Sequence, residues 1–93
     1  MQIYTLADIT GTGARVALSA TSQPCKWFQV TAVSIASQAR MGDINVTSSR
    51  GIPILPAGGQ FSPPIAAPLD LYDLSNCYIY LANGDSVSVA YAI

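Results

Sequence analysis

Apolar and polar residues alternate with a period of two through much of this chain. Nowhere do apolar positions recur at i, i+3, i+4 and i+7 across a helix-length window. Period two is the mark of a strand with one face turned to a core, and the missing spacing is that of an amphipathic helix. The pattern is plainest at the C-terminus. There Val87, Val89, Tyr91 and Ile93 fall on one face and Ser86, Ser88, Ala90 and Ala92 on the other. Residues 76–82 form a second strand, with Cys77, Ile79 and Leu81 opposite Tyr78 and Tyr80. Asn83-Gly84 between them predicts a hairpin, because a type I′ turn needs two residues that accept positive φ.

Further strands are expected at 2–6 and at 14–19, where Val16 and Leu18 share a face. The longest is expected at 27–35. It places Phe28, Val30 and Ala32 on one face and Trp27, Thr31, Val33 and Ile35 on the other, so it reads as a central strand with apolar groups on both sides. Trp27 is expected in the core, where truncation to alanine would cost about 3–5 kcal/mol. Residues 40–46 form a strand interrupted at Gly42-Asp43, a place where a bulge is common. The strand at 52–55 is restricted to an edge, because Pro53 has no N–H to give a ladder. A short piece at 60–62 runs into Pro63-Pro64, and turns fall at 11–13, 47–51 and 56–59. Residues 65–76 read as a loop with one helical turn at 71–74. The expected fold is therefore all-β, an antiparallel β-sandwich of jelly-roll-like type with seven to eight short strands in one domain spanning 1–93.

Composition changes the picture in one respect. The chain has four Lys or Arg, five Asp, no Glu and no His among 93 residues. An ordinary domain of this length carries roughly 23 charged residues. Spread over a folded surface of roughly 5,100 Å², nine charges leave one per roughly 570 Å². Much of the exterior is then neutral or apolar, and cover by copies of the chain or by another protein is expected, with a neutral, Ser/Thr-rich sandwich that stays soluble alone as the alternative. Arg15, Lys26, Arg40 and Arg50 are dispersed in a chain of net charge −1, which argues against nucleic-acid binding by counterion release. Residues 1–8 lack the charged and apolar regions of a secretory signal, and no apolar run reaches the ~20 residues of a membrane span.

Little points to chemistry. Without His there is no Ser-His-Asp or Cys-His arrangement and no imidazole metal ligand, and Cys25 and Cys77 are too few for zinc. The two cysteines are expected to be free thiols. Asp70 and Asp73 are the only close carboxylates; they read as turn caps, with calcium as the alternative. No catalytic residue, cofactor or metal is expected. Tyr78 and Tyr80 are expected to point outward, as an interface or alternatively as a platform for a sugar or base.

The serial order of several segments resembles small structural proteins of tailed-bacteriophage virions. These are Pro24-Cys25-Lys26-Trp27, Gly42-Asp43-Ile44-Asn45-Val46 and Ser49-Arg50-Gly51-Ile52-Pro53, then Pro56-Ala57-Gly58-Gly59, Tyr72-Asp73-Leu74 and Gly84-Asp85-Ser86-Val87-Ser88-Val89. The resemblance runs from Ala14 to the end. One departure is the Ala- and Ser-rich stretch 33–39, where related chains are more polar. The resemblance implies a non-enzymatic virion component, made in the host bacterial cytoplasm and placed on the capsid surface as a decoration (cement) protein or used as a head or tail accessory. Its partners would be the major capsid protein, or another virion protein, and further copies of itself as a trimer or dimer, with no nucleic acid and no membrane. A tail or fibre module that binds a receptor or carbohydrate is the alternative. The interface is expected to use Tyr78 and Tyr80 together with the Pro-rich edge, namely Ile52, Pro53, Pro63 and Pro64.

Overall fold

A computed structural model of the chain describes residues 2–36, 39–56 and 58–93. The turn expected at 56–59 includes Ala57 and the stretch 33–39 includes Ser37 and Gln38, all three outside the described residues. The fold is all-β. Among the described residues eleven strands follow one another: β1 (Ile3–Thr5), β2 (Ile9–Thr10), β3 (Arg15–Ala17), β4 (Pro24–Cys25), β5 (Trp27–Ser34), β6 (Ala39–Gly42), β7 (Ile52–Ile54), β8 (Gln60–Phe61), β9 (Tyr72–Asp73), β10 (Tyr78–Tyr80) and β11 (Ser86–Ala92). Each of the strands expected from the pattern is present, although several are shorter than expected. The additional ones, β2, β4 and β9, have two residues each and are too short for any periodicity to register. The helical turn is a 3₁₀ segment at Leu74–Asn76, three residues beyond its expected start.

All pairings are antiparallel. One sheet runs β1-β11-β5-β8, with β2 also paired to β11; the other runs β3-β10-β6-β7, and β4 and β9 form a separate two-stranded ribbon. Because neighbouring side chains alternate across a sheet, the register assigns faces. Phe28 and Val30 of β5 and Val87, Val89 and Tyr91 of β11 meet Ile79 of β10, Met41 of β6 and Ile54 of β7 in one buried cluster. Leu74 closes one end of this core. Its N–H donates to Gln23 C=O (3.1 Å), and its carbonyl accepts from Ser19 N–H (3.3 Å). The accessible surface is 5212 Å².

Three expectations need correction. Trp27 is not a core residue. Parity in β5 places it with Gln29 and Thr31 on the outer face, half-buried beside Ile3, Ile65 and Ala92, while Phe28 takes the inner position. The apolar character of the strand predicted burial on both sides, but the second sheet covers one face only. Ile93 is exposed and Ala92 buried at the end of β11, the reverse of the expected alternation. Finally, Asn83-Gly84 makes a tight turn, with Asp85 N–H donating to Ala82 C=O (3.0 Å) and Gly84 at φ +88°, yet it does not make a hairpin. β10 and β11 belong to opposite sheets. Gly11 lies between them: its N–H donates to Asp85 C=O (2.7 Å), and its carbonyl accepts from Gly84 N–H (3.1 Å). Gly13 N–H takes Leu81 C=O (3.1 Å), so the bonds that would zip a hairpin go to residues 11–13.

Candidate interaction surface

The inner row of the second sheet contains Ile79 and Met41, both buried, so the residues before and after each along its strand point outward. Tyr80 stands opposite Arg15 on one side and Arg40 on the other, and Arg40 in turn stands opposite Pro53. The next outer row is Ala17, Tyr78 and Gly42. One face thus presents two half-buried tyrosines, Tyr80 of them flanked by two arginines, with β7 and its proline at the margin. This is the outward placement expected for Tyr78 and Tyr80.

At one end of this face Ala14, Arg15, Val46, Thr47 and Tyr80 line a cleft of about 440 Å³. Val46 gives it an apolar floor, and the turn that carries Val46 is closed by reciprocal bonds between Thr47 and Arg50 (3.0 and 3.3 Å). Arg40 is anchored beside the cleft by one donor, Nη1 to Gly51 C=O (3.0 Å), while its buried Nε has no acceptor among the described residues. No aspartate lines the cleft. It is therefore a cationic recess with an aromatic wall, suited to an apolar group that carries a carboxylate.

The structure divides the expected Pro-rich edge. Pro53 shares the outer face with Tyr80, whereas Ile52, 49 % exposed, lies in the Met41 row at the open side of β7. Pro63 and Pro64 follow β8 on the other sheet, where Pro64 C=O accepts from the Tyr72 hydroxyl (2.7 Å). The segment therefore supplies an edge strand to each sheet rather than one continuous edge. Sequence reading missed the alignment of Arg15, Tyr80 and Arg40, since only long-range register brings these three together. It also missed Lys26, whose Nζ donates to the carbonyls of Ala67 (3.0 Å), Pro68 (2.8 Å) and Asp70 (2.7 Å) and so ties down the loop at 65–71.

The aspartates behave as caps where they are engaged. Asp73 accepts from the Ser22 hydroxyl (2.5 Å), from Gln23 N–H (3.0 Å), and from both the N–H (3.0 Å) and hydroxyl (2.8 Å) of Ser75. These bonds, the one from Ser22 foremost, hold its carboxyl below the usual carboxylate range. They leave little lone-pair capacity for a cation. Asp43 accepts from Asn45 N–H (2.9 Å), and Asp85, 6 % exposed, from Ala36 N–H (3.3 Å). Among the described residues no three His, Cys, Asp or Glu cluster as metal ligands would, and no helix is long and apolar enough to cross a membrane.

Cys25 and Cys77 are both free thiols. Burial pushes Cys77 up to about 11, with Cys25 and Asp73 adding to the effect, and burial likewise raises Cys25. A raised thiol pKa means that the fold favours the neutral form. The stability contributed is complete below the ordinary value near 9 and is lost as pH rises through the raised folded values, up to about 11 for Cys77. Iodoacetamide at neutral pH should label the native protein slowly and the denatured protein at both positions, as read by mass spectrometry. Rapid native labelling of Cys77 would contradict this environment.

Comparison with known proteins finds no matching family model, no matching curated protein and no matching solved structure.

Proposed function

We propose that this chain is a non-enzymatic structural protein of a tailed-bacteriophage virion, used as a capsid decoration protein that docks on the shell through the outer face of the β3-β10-β6-β7 sheet. The observation that supports this reading most directly is that face itself. It sets Tyr80 between Arg15 and Arg40 with Tyr78 in the adjacent outward row, and tyrosine and arginine are the residue types enriched in interface cores. The small number of charges supports it further, as does exposed apolar surface at Leu69, Ile65, Leu55 and Ile93. A standard interface of ~800 Å² per partner would cover about a sixth of the chain's surface. The partners are the major capsid protein and further copies of the chain.

The test is cosedimentation with undecorated capsids alongside analytical ultracentrifugation of the free protein. Tyr78→Lys with Tyr80→Lys should leave the fold intact and weaken shell binding or self-association roughly a hundredfold, as expected when two interface anchors are lost. A wild-type protein that stays monomeric and ignores capsids would defeat the proposal. A tail or fibre module is the second reading, favoured by Tyr80 lining an open cleft. Glycan binding that is abolished by the tyrosine changes would establish it instead.

A further inference from the structure

Leu69 is 98 % exposed, and it is not on a loosely held loop. Lys26 donates to three carbonyls around it, Asp70 N–H closes a turn onto Ala67 C=O (2.9 Å), Ala66 N–H donates to Lys26 C=O (2.8 Å), and Pro68 fixes the preceding φ. The only lysine of the chain is thus spent on presenting an apolar knob, followed at once by the exposed carboxyl residue Asp70. Little further ordering cost would attend its binding, because the loop is already held.

The knob and the Arg15–Tyr80 cleft lie toward opposite ends of the molecule. β11 starts beside the Asn83-Gly84 turn that follows Tyr80, and it finishes where Lys26 N–H donates to Ala92 C=O (2.8 Å). Seven strand residues span about 23 Å, in a chain 36 Å long on its principal axis. Charge is distributed in the complementary sense. Arg15 and Arg40 stand at the cleft, Arg50 and Asp43 are in the turn beside it, and on the knob Asp70 is exposed while the Lys26 ammonium is taken up by three backbone carbonyls.

We infer that the chain associates head to tail with a second copy of itself. Leu69 of one copy sits against Val46, Ala14 and the Tyr80 ring of the next, and the Asp70 carboxylate pairs with Arg15. This rests on the building-block reading above and names an occupant for its surface. The contact is heterologous, so it closes into a ring if the rotation between copies allows and otherwise propagates as a filament.

A charge swap tests it. Leu69→Ser, Arg15→Asp and Asp70→Arg all lie at exposed positions and should leave the circular dichroism spectrum and unfolding midpoint unchanged. In sedimentation velocity over a concentration series, each should weaken self-association roughly tenfold or more. The double variant Arg15→Asp with Asp70→Arg should recover most of the loss, and high salt should weaken the wild-type contact. A wild-type chain that is monomeric at every concentration, or a double variant as weak as the sum of its singles, would overturn the inference. Wild-type cosedimentation with capsids separates the two outcomes: shell binding without self-association sinks only the head-to-tail contact, and loss of both sinks the building-block reading as well.

Discussion

Phe28→Ala should lower the free energy of unfolding by about 3–5 kcal/mol, whereas Trp27→Ala, one position away, should cost about 0.8–1.5 kcal/mol, half the value of a fully buried large side chain. The difference comes from strand parity. Phe28 is 3 % exposed and lies over the core in the central part of its sheet. Its ring meets Tyr72 edge-on at 5.5 Å and Phe61 at 6.0 Å, geometries that add to area burial. Removing it opens a cavity bounded by two aromatic rings that cannot collapse together without moving β8 and β9. Trp27 rests on the outer face against Ile3, Ile65 and Ala92, in an open cleft of about 250 Å³ where water fills the space that truncation leaves. In a small domain whose total stability is of order 5–15 kcal/mol, the first change endangers folding and the second does not. Urea denaturation followed by circular dichroism is the measurement, since Trp27 is the only tryptophan and its removal abolishes the fluorescence probe. Equal losses from the two substitutions would show that the outer face of β5 is covered after all.

Where one face of a strand is buried and the other wet, alternation was enough to read the fold. Val87, Val89 and Tyr91 lie inside and Ser86, Ser88 and Ala90 outside, as their order predicts, and Ile79 lies inside between two outward tyrosines. Pro53 correctly confined β7 to an edge, because the missing N–H is a covalent property and not a matter of context. The hydrophobicity of Trp27 points to the core and its parity with Gln29 and Thr31 to the outer face, and parity decides where the ring lies. The site was less legible than the fold. Outward tyrosines could be inferred, but the flanking of Tyr80 by Arg15 and Arg40 depends on β3 and β6 pairing with β10 across 65 and 40 residues of sequence. Lys26 and its three carbonyls are separated by more than 40 residues, and a lysine that binds backbone oxygen leaves no pattern in side-chain types.

The Asn83-Gly84 turn shows how a correct local signal can give the wrong topology, and it leads to the other large expected effect. The dipeptide bends the chain as predicted, but residues 11–13 pass through the bend and take the hydrogen bonds of Leu81, Gly84 and Asp85. β10 and β11 are thereby separated into opposite sheets, and the turn becomes an arch across the core. The insertion is possible only because residue 11 has no side chain. A Cβ on Gly11 would lie 2.3 Å from the Ala82 carbonyl oxygen and 2.4 Å from Leu81 Cβ, against backbone and a fully buried neighbour that have nowhere to move. Gly11→Ala should therefore cost more than about 4 kcal/mol, the range reserved for changes that disrupt a buried network. Gly84→Ala is the control. Its Cβ would meet nothing within 4 Å, so only the positive φ opposes it, at about 1–2 kcal/mol. Both variants can be compared by thermal and urea unfolding and by the rate of proteolysis at the N-terminal segment. If Gly11→Ala unfolds at the wild-type midpoint, residues 11–13 are not clamped in the arch, and β10 and β11 are free to pair as the simple hairpin that their sequence suggests. A midpoint far below that of Gly84→Ala would establish that the missing side chain at position 11 directs the chain from one sheet to the other, and so sets Tyr78 and Tyr80 on an outer face.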